Sequence, residues 1–207
     1  MKITLKKTKL RKFKMKPFTA LFWGIFCLAI NAQAAFKKTT DLTLMQSNKY
    51  EDILSVANDK TIEYETRWKA VMQLADSSPT RAITDLKEFL SGKEWFIRSA
   101  AMTALNEINP SEGKSAALKL LSDRALVVRS AAVQVLESHI DTQVRSRLWQ
   151  EMAASYNFRK KQSLWVRGQI LSLLSQKPLP SEKKQFENLK SDSDKRVSAV
   201  ASGVILK

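Results

Sequence analysis

The chain has few of the residues from which chemistry is usually built. Its 207 residues include one cysteine, Cys27, one histidine, His139, and five glycines. A zinc-type site needs clustered His, Cys or carboxylates, and no such cluster is written here. A nucleophile–base pair would have to use His139, and no nucleophile is marked by a special turn. Phosphate-cradling loops need grouped glycines, whereas Gly92, Gly113, Gly168 and Gly203 stand alone. The carboxylates are scattered: Asp192 and Asp194 fall in a loop, Glu63 and Glu65 precede a helix, and no pair is set apart for acid–base work. The expectation is no catalysis, no metal and no cofactor. His139 falls near a predicted helix end, where a positive charge is favourable, so a structural role is expected of it.

Also missing is any apolar run of the roughly 20 residues a membrane-spanning helix needs. The run "FTALFWGIFCLAI" has thirteen residues. It follows eight basic residues (Lys2, Lys6, Lys7, Lys9, Arg11, Lys12, Lys14, Lys16) and no acid, and it leads into "NAQA". These three parts make a secretory signal peptide over residues 1–34. A cut between Ala34 and Ala35 is expected, leaving a mature N-terminal segment at 35–47 and a periplasmic or secreted chain without a transmembrane segment. An uncleaved anchor is the competing reading, and the short run argues against it. Met15 opens a compact signal of its own, so Met1 and Met15 both stand as translation starts; N-terminal sequencing of the precursor separates them. Cleavage removes Cys27, so the mature chain has no disulfide and is held by packing alone.

What is present is a repeat. "WFIRSAAMTAL" at 95–105 returns as "LVVRSAAVQVL" at 126–136. With Arg98 and Arg129 as anchors, Arg67, Arg167 and Arg196 fit the same frame, at spacings of 31, 31, 38 and 29. Positions three, four and seven after each Arg, with the one before it, are mostly apolar and share one helical face. Each unit therefore holds one amphipathic helix, B. Twelve residues after the first three anchors comes Pro79, Pro110 or Asp141, and Pro178 and Pro180 close the fourth unit. Pro and Asp both start helices well. A second helix, A, follows each break, at 80–90, 111–121, 142–156 and 181–190, with 48–59 serving the first unit. One such pair cannot bury its apolar face alone, whereas stacked copies make a continuous core. Ala100, Ala101, Ala131 and Ala132 allow close helix approach.

The pattern carried by "EWFIRSAAMTAL", "SDRALVVRSAAVQVL" and, with Gly168 and Gln169 where Ala is usual, "QSLWVRGQILSLL" resembles HEAT repeats, of the short type also seen in phycobilisome-lyase-like proteins. The resemblance covers residues 48–207. It implies an all-α fold, an α-solenoid of about five stacked antiparallel helix pairs, and a protein-binding scaffold as the usual role. Short arrays of this type also occur as lyases and DNA glycosylases, which makes an enzyme the weakest alternative. It further implies that the anchor Arg pairs with a repeat Asp or a helix-end carbonyl, and Asp123 and Asp192 stand upstream of Arg129 and Arg196. The anchors are expected to brace helices rather than line an anion groove.

The net charge is +15; the eight cations of the leader leave 15 − 8 = +7 for the rest. Over 141–177 seven cations face two acids, +5 of that +7. The long unit between Arg129 and Arg167 carries "SYNFRKKQSLWVR", and insertions in solenoids fall on loops of one face. Tyr156, Phe158, Arg159, Lys160 and Lys161 are therefore the candidate binding residues, while Trp165 is expected in the core. Two partners follow: another protein of the envelope, or an anionic polymer gripped by these interleaved aromatics and cations.

Overall fold

The computed structural model describes residues 49–205. The expected signal peptide, its cut site, the start codon, Cys27 and the segment up to 47 lie outside the described residues. All described elements belong to the unit Ser47–Lys207.

Ten α-helices occur among the described residues: α1 (Tyr50–Asn58), α2 (Tyr64–Ser77), α3 (Pro79–Phe89), α4 (Trp95–Ile108), α5 (Pro110–Leu120), α6 (Leu126–Leu136), α7 (Thr142–Ala153), α8 (Trp165–Ser175), α9 (Lys183–Leu189) and α10 (Lys195–Gly203). They alternate A, B through five pairs, and each B helix packs on the B helix of the next pair. The fold is an all-α solenoid, as the periodicity predicts.

The breaks work as their residue types dictate. Pro79 and Pro110 take the first helical position, where a missing amide costs nothing. The Asn109 side chain accepts from the Glu112 amide at 3.2 Å, and Asp141 accepts from that of Val144 at 2.8 Å. Each closes one open N–H at a helix start.

The core is the helical face the sequence marks. Ala70, Val71, Leu74, Ala101, Met102, Leu105, Ala132, Val133, Leu136, Ile170, Leu171 and Leu174 are all buried. The anchor itself lies inside that arc, since at about 100° per residue it falls between the position before it and the position four after. Arg67, Arg98, Arg129 and Arg167 are accordingly buried too. Arg196 is exposed.

Three differences from expectation have physical causes. Trp165 is 47 % exposed. It stands two residues before the anchor, about 170° from the middle of the buried arc. Phe96 at the equivalent place is covered because the rings of Tyr64 and Trp95 pack edge-on against it and the Arg67 guanidinium lies over its ring at 5.2 Å. The fourth A helix stops at Ala153 rather than running to 156, because Asn157 turns inward and is fully buried. The apolar run Val204, Ile205 and Leu206 closes the last B helix and is expected from the sequence to tuck back against the fourth pair, yet Ile205 is 81 % exposed because the helix has ended at Gly203; Leu206 lies outside the described residues.

Two glycines differ in kind. A Cβ at Gly113 would stand 2.3 Å from the Asn106 Cα, so α5 meets the backbone of α4 there. A Cβ at Gly168 would meet nothing within 4 Å.

Candidate functional site

The loops joining helix A to helix B are where the sequence's candidate residues gather. Each loop is tied to the B helix of the preceding unit by that unit's anchor. Arg67 donates to both carboxylate oxygens of Glu94, at 2.7 and 2.6 Å. Arg98 donates to both of Asp123, each at 2.7 Å, and to the Gly92 and Lys93 carbonyls. Arg167 donates to Asp192 at 2.7 and 3.3 Å. The acid upstream of an anchor therefore serves the anchor before it. Arg196 donates instead to Asp194, two residues away.

Arg129 is the exception. Its Nε donates to Asn157 Oδ1 at 2.9 Å and its Nη2 to the Tyr156 carbonyl at 3.0 Å. The counter-charge lies one residue further on. The Asn157 amide donates to Glu151 Oε2 at 3.3 Å, and Glu151 is buried and also bridged by Arg147 at 2.8 Å. Burial pulls the Arg129 pKa down, and the nearby Tyr156, Asp123 and Glu151 only partly offset it.

These carboxylates make the fold acid-sensitive. Burial works to raise the Asp123 carboxyl, but the Arg98 guanidinium and the Ala125 amide outweigh it and hold the group below its ordinary value. Asp192 with Arg167, and Glu182 with Arg145 and Trp149, behave alike. A folded pKa below the unfolded one stabilises fully above the unfolded value of about 4, and that contribution is lost as pH falls through the folded value. The melting temperature should be level from neutral pH to about 5 and drop below about 4; a rise on acidification would contradict it. Tyr156 has the opposite sign: burial and its bond to Glu151 push it up to about 12, so its share is lost as pH rises from about 10 towards that value.

The insertion is a small hairpin. Strands β1 (Phe158–Arg159) and β2 (Gln162–Ser163) pair antiparallel, Phe158 facing Ser163 and Arg159 facing Gln162. Lys160 and Lys161 form its two-residue turn, at φ 49° and 66°. Two positive φ values match a type I′ turn, which favours Asn-Gly. Lysine in the left-handed region costs about 1 kcal/mol or more. Replacing Lys160 and Lys161 by Asn and Gly should therefore raise the unfolding free energy by about 1 kcal/mol, read by urea denaturation.

The five candidate binding residues divide. The Phe158 ring lies under the Arg167 guanidinium at 4.4 Å, and Tyr156 under that of Arg129 at 5.4 Å. The Tyr156 hydroxyl donates to both Glu151 oxygens. These two aromatics cover anchors. Arg159, Lys160 and Lys161 are exposed, and none of them has a side-chain ion pair with another described residue. Lys160 and Lys161, with Gln162, Ser163, Asp194 and Arg196, line an open groove of about 420 Å³ between the hairpin and the start of α10. The groove joins two candidates the sequence does not connect, the basic turn and the last anchor. The expected charge excess over 141–177 is also smaller in space. Arg145 is buried on Glu182, and Arg167 on Asp192, partners outside that window.

Sequence reasoning missed the rest of this edge. Every loop carries a solvent-facing cation: Lys60, Lys93, Arg124, Lys160 and Lys161, and Lys195. Arg124 reaches across to the Lys93 carbonyl, which places neighbouring loops side by side. Beside them Tyr64, Trp95, Val127 and Trp165 are exposed at the starts of the B helices. The signal was available: Tyr64 and Trp95 each stand three residues before an anchor.

His139 Nε2 lies 2.6 Å from Asn106 Oδ1, a bond between the third pair and the second. Among the described residues no group of His, Cys, Asp and Glu is placed to hold a metal ion. None of their helices is long and apolar enough to cross a membrane.

Stacked helix pairs with an inter-pair arginine brace define a helical-repeat protein. The family model for HEAT repeats matches residues 52–137, less than half of the chain, and that stretch is similar to HEAT repeats. No curated protein matches it in sequence. HEAT repeats are commonly protein-interaction scaffolds.

Proposed function

We propose that the chain is an exported scaffold that binds another protein in the periplasm or cell envelope and performs no reaction itself. The observation that carries this reading is the run of exposed aromatics at the B-helix starts, Tyr64, Trp95 and Trp165. Aromatic residues are enriched where proteins meet. Export rests on the basic, apolar and small-residue parts of residues 1–34. The test is cross-linking of the protein in its own envelope, with N-terminal sequencing of the recovered chain. A discrete protein adduct and an N-terminus at Ala35 are expected. Absence of any protein adduct, or a retained N-terminus, would remove the corresponding half of the reading.

The second reading is an anionic polymer held by Arg159, Lys160 and Lys161, supported by the exposure of these three neighbouring cations. Salt separates the two, since a complex with a polyanion weakens steeply as salt rises.

A further inference from the structure

The A–B loops have a one-sided charge arrangement. Three of their acids are turned inward, Glu94, Asp123 and Asp192 being taken by Arg67, Arg98 and Arg167, whereas Asp59 and Glu63 of the first loop are exposed. Their cations point outward and repeat in every unit. With those acids turned inward, the edge from the second loop onward is positive, and the described residues 49–205 as a whole carry 24 − 19 = +5. Exposed tryptophan or tyrosine stands beside these cations in the first, second and fourth units. Ordinary solvated lysines need no such neighbours, and a scaffold's core has no use for rings left in water.

We infer that this edge receives an extended acidic polypeptide, its carboxylates facing Lys93, Arg124, Lys160 and Lys161 and its apolar side chains facing Trp95 and Trp165. The inference rests on the protein-scaffold reading and names the face and the partner's chemistry. Spacing favours a polypeptide. Successive B helices pack directly, so one unit steps to the next by an interaxial distance of about 8–10 Å. A chain in the polyproline II conformation advances about 3.1 Å per residue and returns a side chain to the same face every third residue. Three residues thus span one unit, and one acid in three meets one cation per loop. A nucleic-acid strand carries a phosphate about every 3.4 Å along its axis, more densely than the edge supplies cations. The open groove at Lys160 and Lys161 gives one end of the track a walled seat.

The probe is a displayed library of random peptides of about 15 residues, five units at three residues each, selected on the purified protein. Enriched peptides should carry Asp or Glu at about every third position with apolar residues between. Their affinity, measured by fluorescence anisotropy, should fall about tenfold or more in Lys93→Glu/Arg124→Glu and in Lys160→Glu/Lys161→Glu. Trp95→Ser should weaken binding without changing its salt dependence. The reversed residues are exposed, so an unchanged melting curve separates lost binding from lost folding. No enrichment, enriched peptides without an acid excess, or affinity unmoved by both double reversals would overturn the inference. So would heparin or an oligothymidylate bound through these residues while no peptide binds. Failure of cross-linking to yield a protein partner sinks the scaffold reading itself. A protein partner cross-linked through another face sinks only the edge.

Discussion

Arg98→Ala is expected to lower the unfolding free energy by about 3–5 kcal/mol, the cost of breaking a buried ion pair from one side. Arg98 and Asp123 have side-chain exposures of 5 % and 6 %. The truncation leaves the Asp123 carboxylate with the Ala125 amide, at 2.7 Å, as its remaining described donor. It also strips the Gly92 and Lys93 carbonyls of the guanidinium that meets them at 2.8 and 2.9 Å. A fall in melting temperature of roughly 10 °C follows for a domain of this size. Removing both charges, in Arg98→Met with Asp123→Asn, should recover part of the loss, because much of it is the penalty of one stranded charge. The same truncation at Arg196, in the same repeat frame, should leave the melting curve where it was, since that side chain is 68 % exposed and pairs with Asp194, two residues away in its own unit. Equal losses at Arg98 and Arg196 would mean that the brace is not what holds the units together.

Gly113→Ala comes next in size. Alanine for glycine inside a helix ordinarily gains about 1 kcal/mol. Here the added Cβ would fall 2.3 Å from the Asn106 Cα, 2.6 Å from its Cβ and 2.8 Å from its nitrogen. Two of the three atoms are backbone, so α4 and α5 must separate rather than a side chain turn aside. Overpacking of this kind costs about 1–3 kcal/mol or somewhat more, and a net loss of about 3 kcal/mol is expected once the bond from Asn106 to His139 is disturbed as well. Gly168→Ala is the control: with open space around it, it should gain about 0.5–1 kcal/mol. Denaturant midpoints for the two variants should move in opposite directions. A gain at Gly113 would show that the two helices do not approach as closely as described.

The sequence made the fold legible because it is periodic. The apolar face, the break residues and the five anchors set out five helix pairs before any coordinate is known, and the HEAT pattern agrees. The braces were half legible. Helical geometry places the anchor in the buried arc, but the register of its partner depends on how units stack, so Asp123 was read beside Arg129 when it serves Arg98. Asn157 gave no signal, since a neutral amide relaying charge from Glu151 to Arg129 looks like any loop asparagine. Tyr156 and Phe158 were legible as aromatics among cations. That their cations are the anchors Arg129 and Arg167, rather than a ligand's neighbours, follows only from the hairpin bending back. The edge cations were hidden because counting charge along the chain pairs each acid with its sequence neighbours, whereas the acids are spent across unit boundaries.

The brace that skips an acid has a consequence for how the molecule opens. In a linear array, cooperativity is carried by nearest-neighbour coupling. Three of the four junctions are fastened by a guanidinium locked directly to a carboxylate; the junction after Arg129 is fastened through a carbonyl and a neutral amide whose position depends on the hairpin. That junction is where a travelling front of local unfolding should stall. Amide exchange is expected to resolve two cooperative blocks, one running from α1 to α6 and a less protected one from α7 to α10, with the Asn157 amide proton, in the loop that Arg129 braces, exchanging with the second block.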